Sequence, residues 1–279
     1  MTLKTVDFNS PNAAEEFVTS LRETGFGVLK NHPIPQELVE SIYKNWLVFF
    51  KSPQKNKYAF SPETQDGYFS PDISETAKGA EIKDIKEYYH VYPWGQIPPE
   101  LKDQIMDYYR RANAFASELL SWIEQYAPDE VKAGFSVPLS EMIENSKQTL
   151  LRVLHYPPMT GDEQPGAIRA AAHEDINLLT VLPASNEPGL QVKDKSGNWL
   201  DVPCDFGNLI INIGDMLQEA SGQYFPSTTH RVINPTGEAT THSRISLPLF
   251  LHPKPEVVLS DKYTADEYLK ERLRELGVI

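Results

Sequence analysis

The sequence contains a single cysteine, Cys204, among its 279 residues. One thiol cannot close an internal disulfide, so the fold has no covalent staple and suits a reducing compartment. Cys204 itself is expected to be an ordinary packed or surface thiol. Long apolar runs are missing as well. No stretch approaches the roughly 18 apolar residues of a membrane span, and the first residues, Met1-Thr2-Leu3-Lys4-Thr5-Val6-Asp7, carry no apolar leader core. The expectation is a cytoplasmic protein with no membrane partner. Basic runs are absent too: 26 Lys and Arg stand against 39 Asp and Glu, a formal charge of −13. That balance disfavours nucleic acid and anionic membranes and leaves a small-molecule substrate as the default. There is no internal repeat and no low-complexity tract. The length admits one large β-barrel domain with helical additions, or two small domains. Oligomeric state cannot be read from any of these features.

What is present is a sparse set of metal-ligand residue types. His173-Glu174-Asp175 is followed by His230 and then by Arg244-Ile245-Ser246. Two neutral imidazoles and one carboxylate hold Fe(II) on one face of an octahedron. The opposite face stays open for a bidentate co-substrate and dioxygen. His173 and Asp175 are two apart, so on a strand both side chains point to the same side and reach one metal. Ala171 and Ala172 before them leave space. His230 lies in Ser227-Thr228-Thr229-His230-Arg231-Val232, β-branched enough to form a strand. In Ser243-Arg244-Ile245-Ser246-Leu247 polar and apolar residues alternate, sending Arg244 and Ser246 to one side. A guanidinium beside a hydroxyl makes a clamp for a carboxylate, because the planar fork donates parallel hydrogen bonds and stays charged. A His-x-Asp triplet alone is common among solvated side chains. The ordered set of triplet, later histidine and Arg-x-Ser strand is not.

The elements around this set follow from pattern. Ser10-Pro11 is placed to cap a helix with Ala14, Phe17, Val18 and Leu21 on its apolar face, stopped at Gly25. A strand over 26–30 follows. Pro35 opens a second helix with Leu38, Ile42 and Trp46 on one face. Residues 61–95 show no steady period and read as long loops with short strands, suited to a substrate lid. Some of Tyr68, Phe69, Tyr88, Tyr89, His90, Tyr92 and Trp94 are expected to line a pocket and the rest to pack. Apolar spacing from Leu101 to Trp122 gives a long helix over 98–125, and a short helix spans 139–144. Strands are predicted over 149–156, 178–182, 189–192, 199–202, 209–213, 228–233 and 244–251, with Asp194-Lys195-Ser196-Gly197 as a hairpin turn. Many short strands with turn signals indicate a double-stranded β-helix, or jelly roll. Thr264-Ala265-Asp266-Glu267 is a capping box for a last helix that covers a barrel end or a neighbouring subunit.

Other polar residues receive structural roles. Glu174 is expected to point away from the metal, and Asp215 to stabilise a turn or orient a neighbour of the metal. His32, His90, His155, His242 and His252 have no partners at ligand spacing.

These motifs resemble the 2-oxoglutarate and Fe(II)-dependent dioxygenases of the isopenicillin N synthase-like group. The resemblance runs through Thr24-Gly25-Phe26-Gly27-Val28-Leu29-Lys30-Asn31-His32, Tyr156-Pro157-Pro158, His173-Glu174-Asp175-Ile176-Asn177-Leu178-Leu179-Thr180, Gly189-Leu190-Gln191-Val192, Asn212-Ile213-Gly214-Asp215 and His230-Arg231-Val232. It implies His173, Asp175 and His230 as iron ligands. It implies Arg244, Ser246 and Tyr156 as binders of the far carboxylate of 2-oxoglutarate, and dioxygen as the oxidant. Two departures stand out: Leu154 replaces an asparagine common in plant members, and Ala220-Ser221-Gly222 replaces a Ser/Thr-Asn-Gly. The implied organisation is a helical and mixed region over 1–145, a jelly-roll core over 146–255 and a C-terminal helix over 256–279. The implied reaction couples decarboxylation of 2-oxoglutarate to succinate with hydroxylation, desaturation or cyclisation of a small organic substrate. An iron oxidase of the same family that does not use 2-oxoglutarate, and a non-catalytic jelly-roll binder, remain as alternatives.

Overall fold

The computed structural model describes residues 3–73, 82–203 and 205–277. Cys204 and the middle of the 61–95 stretch therefore lie outside the described residues. In chain order the elements are β1 (Thr5–Asp7), α1 (Ala13–Thr24), β2 (Phe26–Lys30), α2 (Gln36–Lys51), β3 (Gly67–Phe69), β4 (Glu87–Val91), α3 (Pro99–Tyr126), α4 (Asp129–Lys132), α5 (Leu139–Met142), β5 (Leu150–Tyr156), β6 (Ala170–His173), β7 (Leu179–Pro183), β8 (Leu190–Lys193), β9 (Trp199–Asp201), β10 (Leu209–Ile213), α6 (Asp215–Ala220), β11 (His230–Val232), β12 (Arg244–Ser246), β13 (Leu249–Leu251) and α7 (Ala265–Glu275).

The strands form two sheets that face each other as a jelly roll. The larger has the order β1-β2-β10-β7-β13-β5-β4-β3, with β12 also paired to β5; the smaller has the order β6-β11-β8-β9. Strand alternation separates two apolar layers. On β5, Leu151 and Val153 face the helices, in one cluster with Phe17, Ile42, Trp46 and Leu119. Leu154 and Tyr156 face the smaller sheet, in a cluster with Phe26, Ala170, Leu190 and Val232. The helices shield one face of the large sheet. The barrel interior lies on the other.

The helices follow their apolar spacing. In α1, Ala13, Phe17, Val18 and Leu21 are buried. The helix starts at Ala13 and not at Ser10, because a turn closed by Ala13 N–H on the Ser10 carbonyl occupies 10–13. Gly25 ends it at φ 74°, a left-handed conformation that costs glycine little. A Cβ there would run into Thr228 Oγ1 and lie 2.6 Å from the Pro226 carbonyl oxygen. The capping box on α7 is present as read, with Thr264 accepting from Glu267 N–H and Glu267 reaching back. Tyr268 and Leu269 pack against this chain's own core. The expected strand over 244–251 is broken into β12 and β13 at Leu247-Pro248, since proline cannot donate to the ladder. Among the described residues no helix is long and apolar enough to cross a membrane.

Candidate active site

His173 ends β6 and His230 begins β11, and the two stand opposite each other in antiparallel register. Their ring centroids are 4.4 Å apart. β6 stops at His173. Asp175 is therefore not on the strand, as the spacing suggested, but in the loop beyond it. That loop is held by the start of α6: Asp215 N–H donates to the Asp175 carbonyl at 2.7 Å and Met216 N–H to the Asn177 carbonyl at 3.1 Å. Gly214 makes this approach possible, because a Cβ there would overlap the Asn177 carbonyl. Asp175 Oδ1 then lies 3.8 Å from His173 Nε2 and 3.7 Å from His230 Nε2. One ligand atom from each residue falls within 4.8 Å of the others, and this is the only such cluster among the described residues.

The remaining polar atoms of the three side chains are engaged elsewhere. His173 Nδ1 is 2.7 Å from the Ala171 carbonyl and His230 Nδ1 is 3.1 Å from the Thr228 carbonyl. A carbonyl only accepts, so each Nδ1 carries the proton and each Nε2 keeps its lone pair for a metal. Asp175 Oδ2 accepts from Thr180 Oγ1 at 2.6 Å and from Asn212 Nδ2 at 2.8 Å, which leaves Oδ1 toward the imidazoles. The charges suit a cation as well. His173 keeps a part-exposed edge at the mouth. Even so, the surrounding protein and then His230 pull its pKa down to about 4, so it is neutral at pH 7. Burial would raise the Asp175 carboxyl, but His230, His173, Asn212 and Thr180 outweigh it and hold it below the usual carboxylate range. Glu174 turns outward and accepts from Thr229 Oγ1 at 2.8 Å. Asp215 is pushed up to about 6, first by burial, with nearby Ser227 opposing the rise and Glu174 and Asp175 adding to it.

Arg244 and Ser246 are buried on β12, and Arg244 sits opposite Tyr156 of β5. Ile245 between them belongs to the helix-side layer, which turns Arg244 and Ser246 into the barrel. The Arg244 guanidinium carbon lies 5.2 Å from the centroid of the Tyr156 ring. Its Nε donates to the Glu187 carbonyl at 3.2 Å, and its Nη1 is buried with no partner. The interior cluster links this end of the barrel to the histidines, since it holds both Tyr156 and Phe26, whose ring meets His230 edge-on at 5.5 Å. The donor set fits the implied groups: two imidazole nitrogens and a carboxylate oxygen free for iron, and a buried guanidinium free for an anion.

Sequence reasoning misplaced some residues and missed others. Tyr68 and Tyr89, candidates for the pocket, pack in the helix-side layer, and Trp94 is 48% exposed with its indole N–H on the Lys147 carbonyl. Tyr88, by contrast, faces the interior. His155 is a structural hub: Nδ1 lies 2.7 Å from Glu87 and Nε2 lies 3.0 Å from Ser243 Oγ. Thr180 and Asn212, which aim Asp175, had no assigned role, although both stand inside quoted motifs. Arg169, wholly buried beside Tyr156, was missed. Its only signal was a cation in an otherwise apolar approach to β6.

Comparison with known proteins agrees with this geometry. The model of the 2OG-Fe(II) oxygenase superfamily matches residues 147–253, and that of the non-haem dioxygenase N-terminal region, described from morphine synthesis, matches residues 3–114. A crystal structure from Shewanella oneidensis, of a protein assigned as an oxygenase, is 67% identical with a TM-score of 0.92 and covers 100% of both chains. One from Caulobacter crescentus, assigned to the 2OG-Fe(II) oxygenase family, is 30% identical with a TM-score of 0.80 over 98% of this chain and 99% of that one. The rice protein 2-oxoglutarate-dependent dioxygenase 11 (Oryza sativa subsp. japonica) is 29% identical over 266 residues, 90% of this chain and 70% of its own length. The chain belongs to the 2-oxoglutarate and Fe(II)-dependent oxygenases, enzymes that work with Fe(II), 2-oxoglutarate and dioxygen.

Proposed function

We propose that His173, Asp175 and His230 are the iron ligands of this oxygenase, and that Arg244, Ser246 and Tyr156 bind the far carboxylate of 2-oxoglutarate. One observation carries the reading. Every outward polar atom of the three ligands is hydrogen-bonded, while the three inward atoms converge without a partner other than each other. Residues 146–255 are assigned as the catalytic core, 1–145 as the region that frames it and 256–279 as its C-terminal helical segment. A cytoplasmic setting accompanies this reading, because a reducing compartment preserves Fe(II) and a lone cysteine needs no oxidising one.

When bound, iron with 2-oxoglutarate and dioxygen supplies oxidative decarboxylation to succinate and carbon dioxide, coupled to hydroxylation of a small organic substrate. The chain does the rest. Ala171 and Thr228 carbonyls fix the imidazole tautomers, so both Nε2 atoms stay available. Asn212 and Thr180 hold Asp175 ionised and turned inward. Arg244 brings a guanidinium whose free Nη1 gives an anion a donor in a dry site. Phe26, Leu154, Leu190 and Val192 line the interior and exclude water.

The test is oxygen-dependent formation of succinate by the Fe(II)-loaded protein. His230→Ala should abolish it. Arg244→Ala should raise the 2-oxoglutarate concentration needed by roughly a hundredfold, because a desolvated charge pair is lost. Unchanged turnover in the first variant, or an unchanged requirement in the second, would remove the residue from its assigned role.

A further inference from the structure

Burying a guanidinium without an anion is costly, and native proteins pair or fully hydrogen-bond such groups. Arg169 breaks this rule. It is 0% exposed, and only its Nη2 has a partner, the His242 carbonyl at 3.1 Å. Nε and Nη1 are buried with none. Its guanidinium carbon lies 5.9 Å from the centroid of the Tyr156 ring, the ring that Arg244 approaches at 5.2 Å. Glu187, the acid nearest in effect, directs its Oε1 at His242 Nδ1, 3.1 Å away. Two buried cations thus share one tyrosine, and three of their nitrogens lack an acceptor.

We infer that Arg169 is a second cation of the 2-oxoglutarate pocket, joining Arg244 on the far carboxylate, so that the site recognises a dianionic keto acid through two guanidiniums. The inference rests on the role given above to Arg244. A carboxylate offers about four lone-pair sites, enough for a fork from one arginine and a further donor from another. The face of Tyr156 attracts both cations but cannot accept the in-plane N–H groups. Burial, and then the proximity of Arg244, disfavour the charge on Arg169; an anion between the two relieves both effects. A purely structural arginine, fixing the His242 carbonyl and the tyrosine ring, would leave Nε and Nη1 without purpose.

The test is anaerobic binding calorimetry on the full chain loaded with Fe(II), with no turnover. It compares 2-oxoglutarate with 2-oxopentanoate, the same five-carbon keto acid with a methyl in place of the far carboxylate. Arg169→Gln should weaken 2-oxoglutarate about ten- to a hundredfold and leave 2-oxopentanoate unchanged, and Arg169→Lys should recover part of the loss. Equal weakening of both acids, or no change in either, overturns the inference. Should the Arg169 variants fail to fold, Arg244→Gln decides. A retained preference for 2-oxoglutarate supports a second cation, and equal binding of the two acids overturns it. If the unaltered protein itself shows no preference for 2-oxoglutarate, the role of Arg244 falls and this inference with it. A preference for 2-oxoglutarate that is undiminished in Arg169→Gln removes Arg169 alone.

Discussion

Asp175 is an asymmetric carboxylate: Oδ2 accepts two hydrogen bonds and Oδ1 faces two imidazoles. Removing the first pair of contacts should release the second. Asn212→Leu is expected to weaken Fe(II) binding about ten- to a hundredfold while the unfolding temperature changes little. Competition with a coloured chelator measures this, and unaltered affinity would mean that the loop backbone alone aims the carboxylate. The proposed ligands were legible in the sequence because few residue types bind iron and their order along the chain is distinctive. Thr180 and Asn212 were not legible in the same way. A threonine and an asparagine serve many purposes, and only the fold brings them to one oxygen. Arg169 was hidden for a related reason, since nothing in an isolated arginine says that it will be buried.

At the scale of elements, β4, β5 and the approach to β12 are tied by one buried cluster. Glu87 accepts from Lys55 at 2.7 Å, contacts His155 at 2.7 Å and also accepts from the Tyr68 hydroxyl; His155 reaches Ser243, next to Arg244. Burial would raise the Glu87 carboxyl, but His155, Lys55 and Tyr68 outweigh it, so the folded pKa lies below the ordinary value. A depressed acid stabilises the fold above its unfolded pKa of about 4.3, and the contribution is lost as pH falls through the lower folded value. Glu87→Gln should therefore cost about 1–3 kcal/mol at neutral pH, with the difference from the native protein shrinking below about pH 4. Urea unfolding across that range checks it, and a difference that persists in acid would show that packing, not charge, is responsible. α3 was readable from its three-and-four spacing, and β2 and β10, short runs that are mostly apolar, have the expected limits. β4 was not, because Glu87-Tyr88-Tyr89-His90-Val91 is buried throughout and yet mixes charged, aromatic and apolar residues, showing neither alternation nor a continuous apolar run. The run through Asp175 was read as strand for the opposite reason. A period of two fitted it, but the N-terminus of α6 captures its backbone instead.

Across the whole molecule, the first hundred residues do more than cover the barrel. β1 and β2 extend one edge of the large sheet and β4 and β3 the other, so the N-terminal region frames the sheet that carries Tyr156 and Arg244. The jelly roll was legible from many short strands with turn signals, and β2 from its apolar run, whereas β1, β3 and β4 were too short or too mixed in composition to show a pattern. The formal charge of −13 belongs to this scale too: it is the feature from which a small-molecule substrate, and neither nucleic acid nor an anionic membrane, is expected.

The most direct test is an anaerobic titration of the Fe(II)-loaded protein with 2-oxoglutarate, followed by the visible charge-transfer absorption that arises when a keto acid chelates iron. The account predicts a saturable band in the unaltered protein and none in His230→Ala. A protein that holds iron but shows no band would contradict it and point to an oxidase that presents its own substrate to the metal. A protein that holds no iron at all would remove His173, Asp175 and His230 as a metal centre.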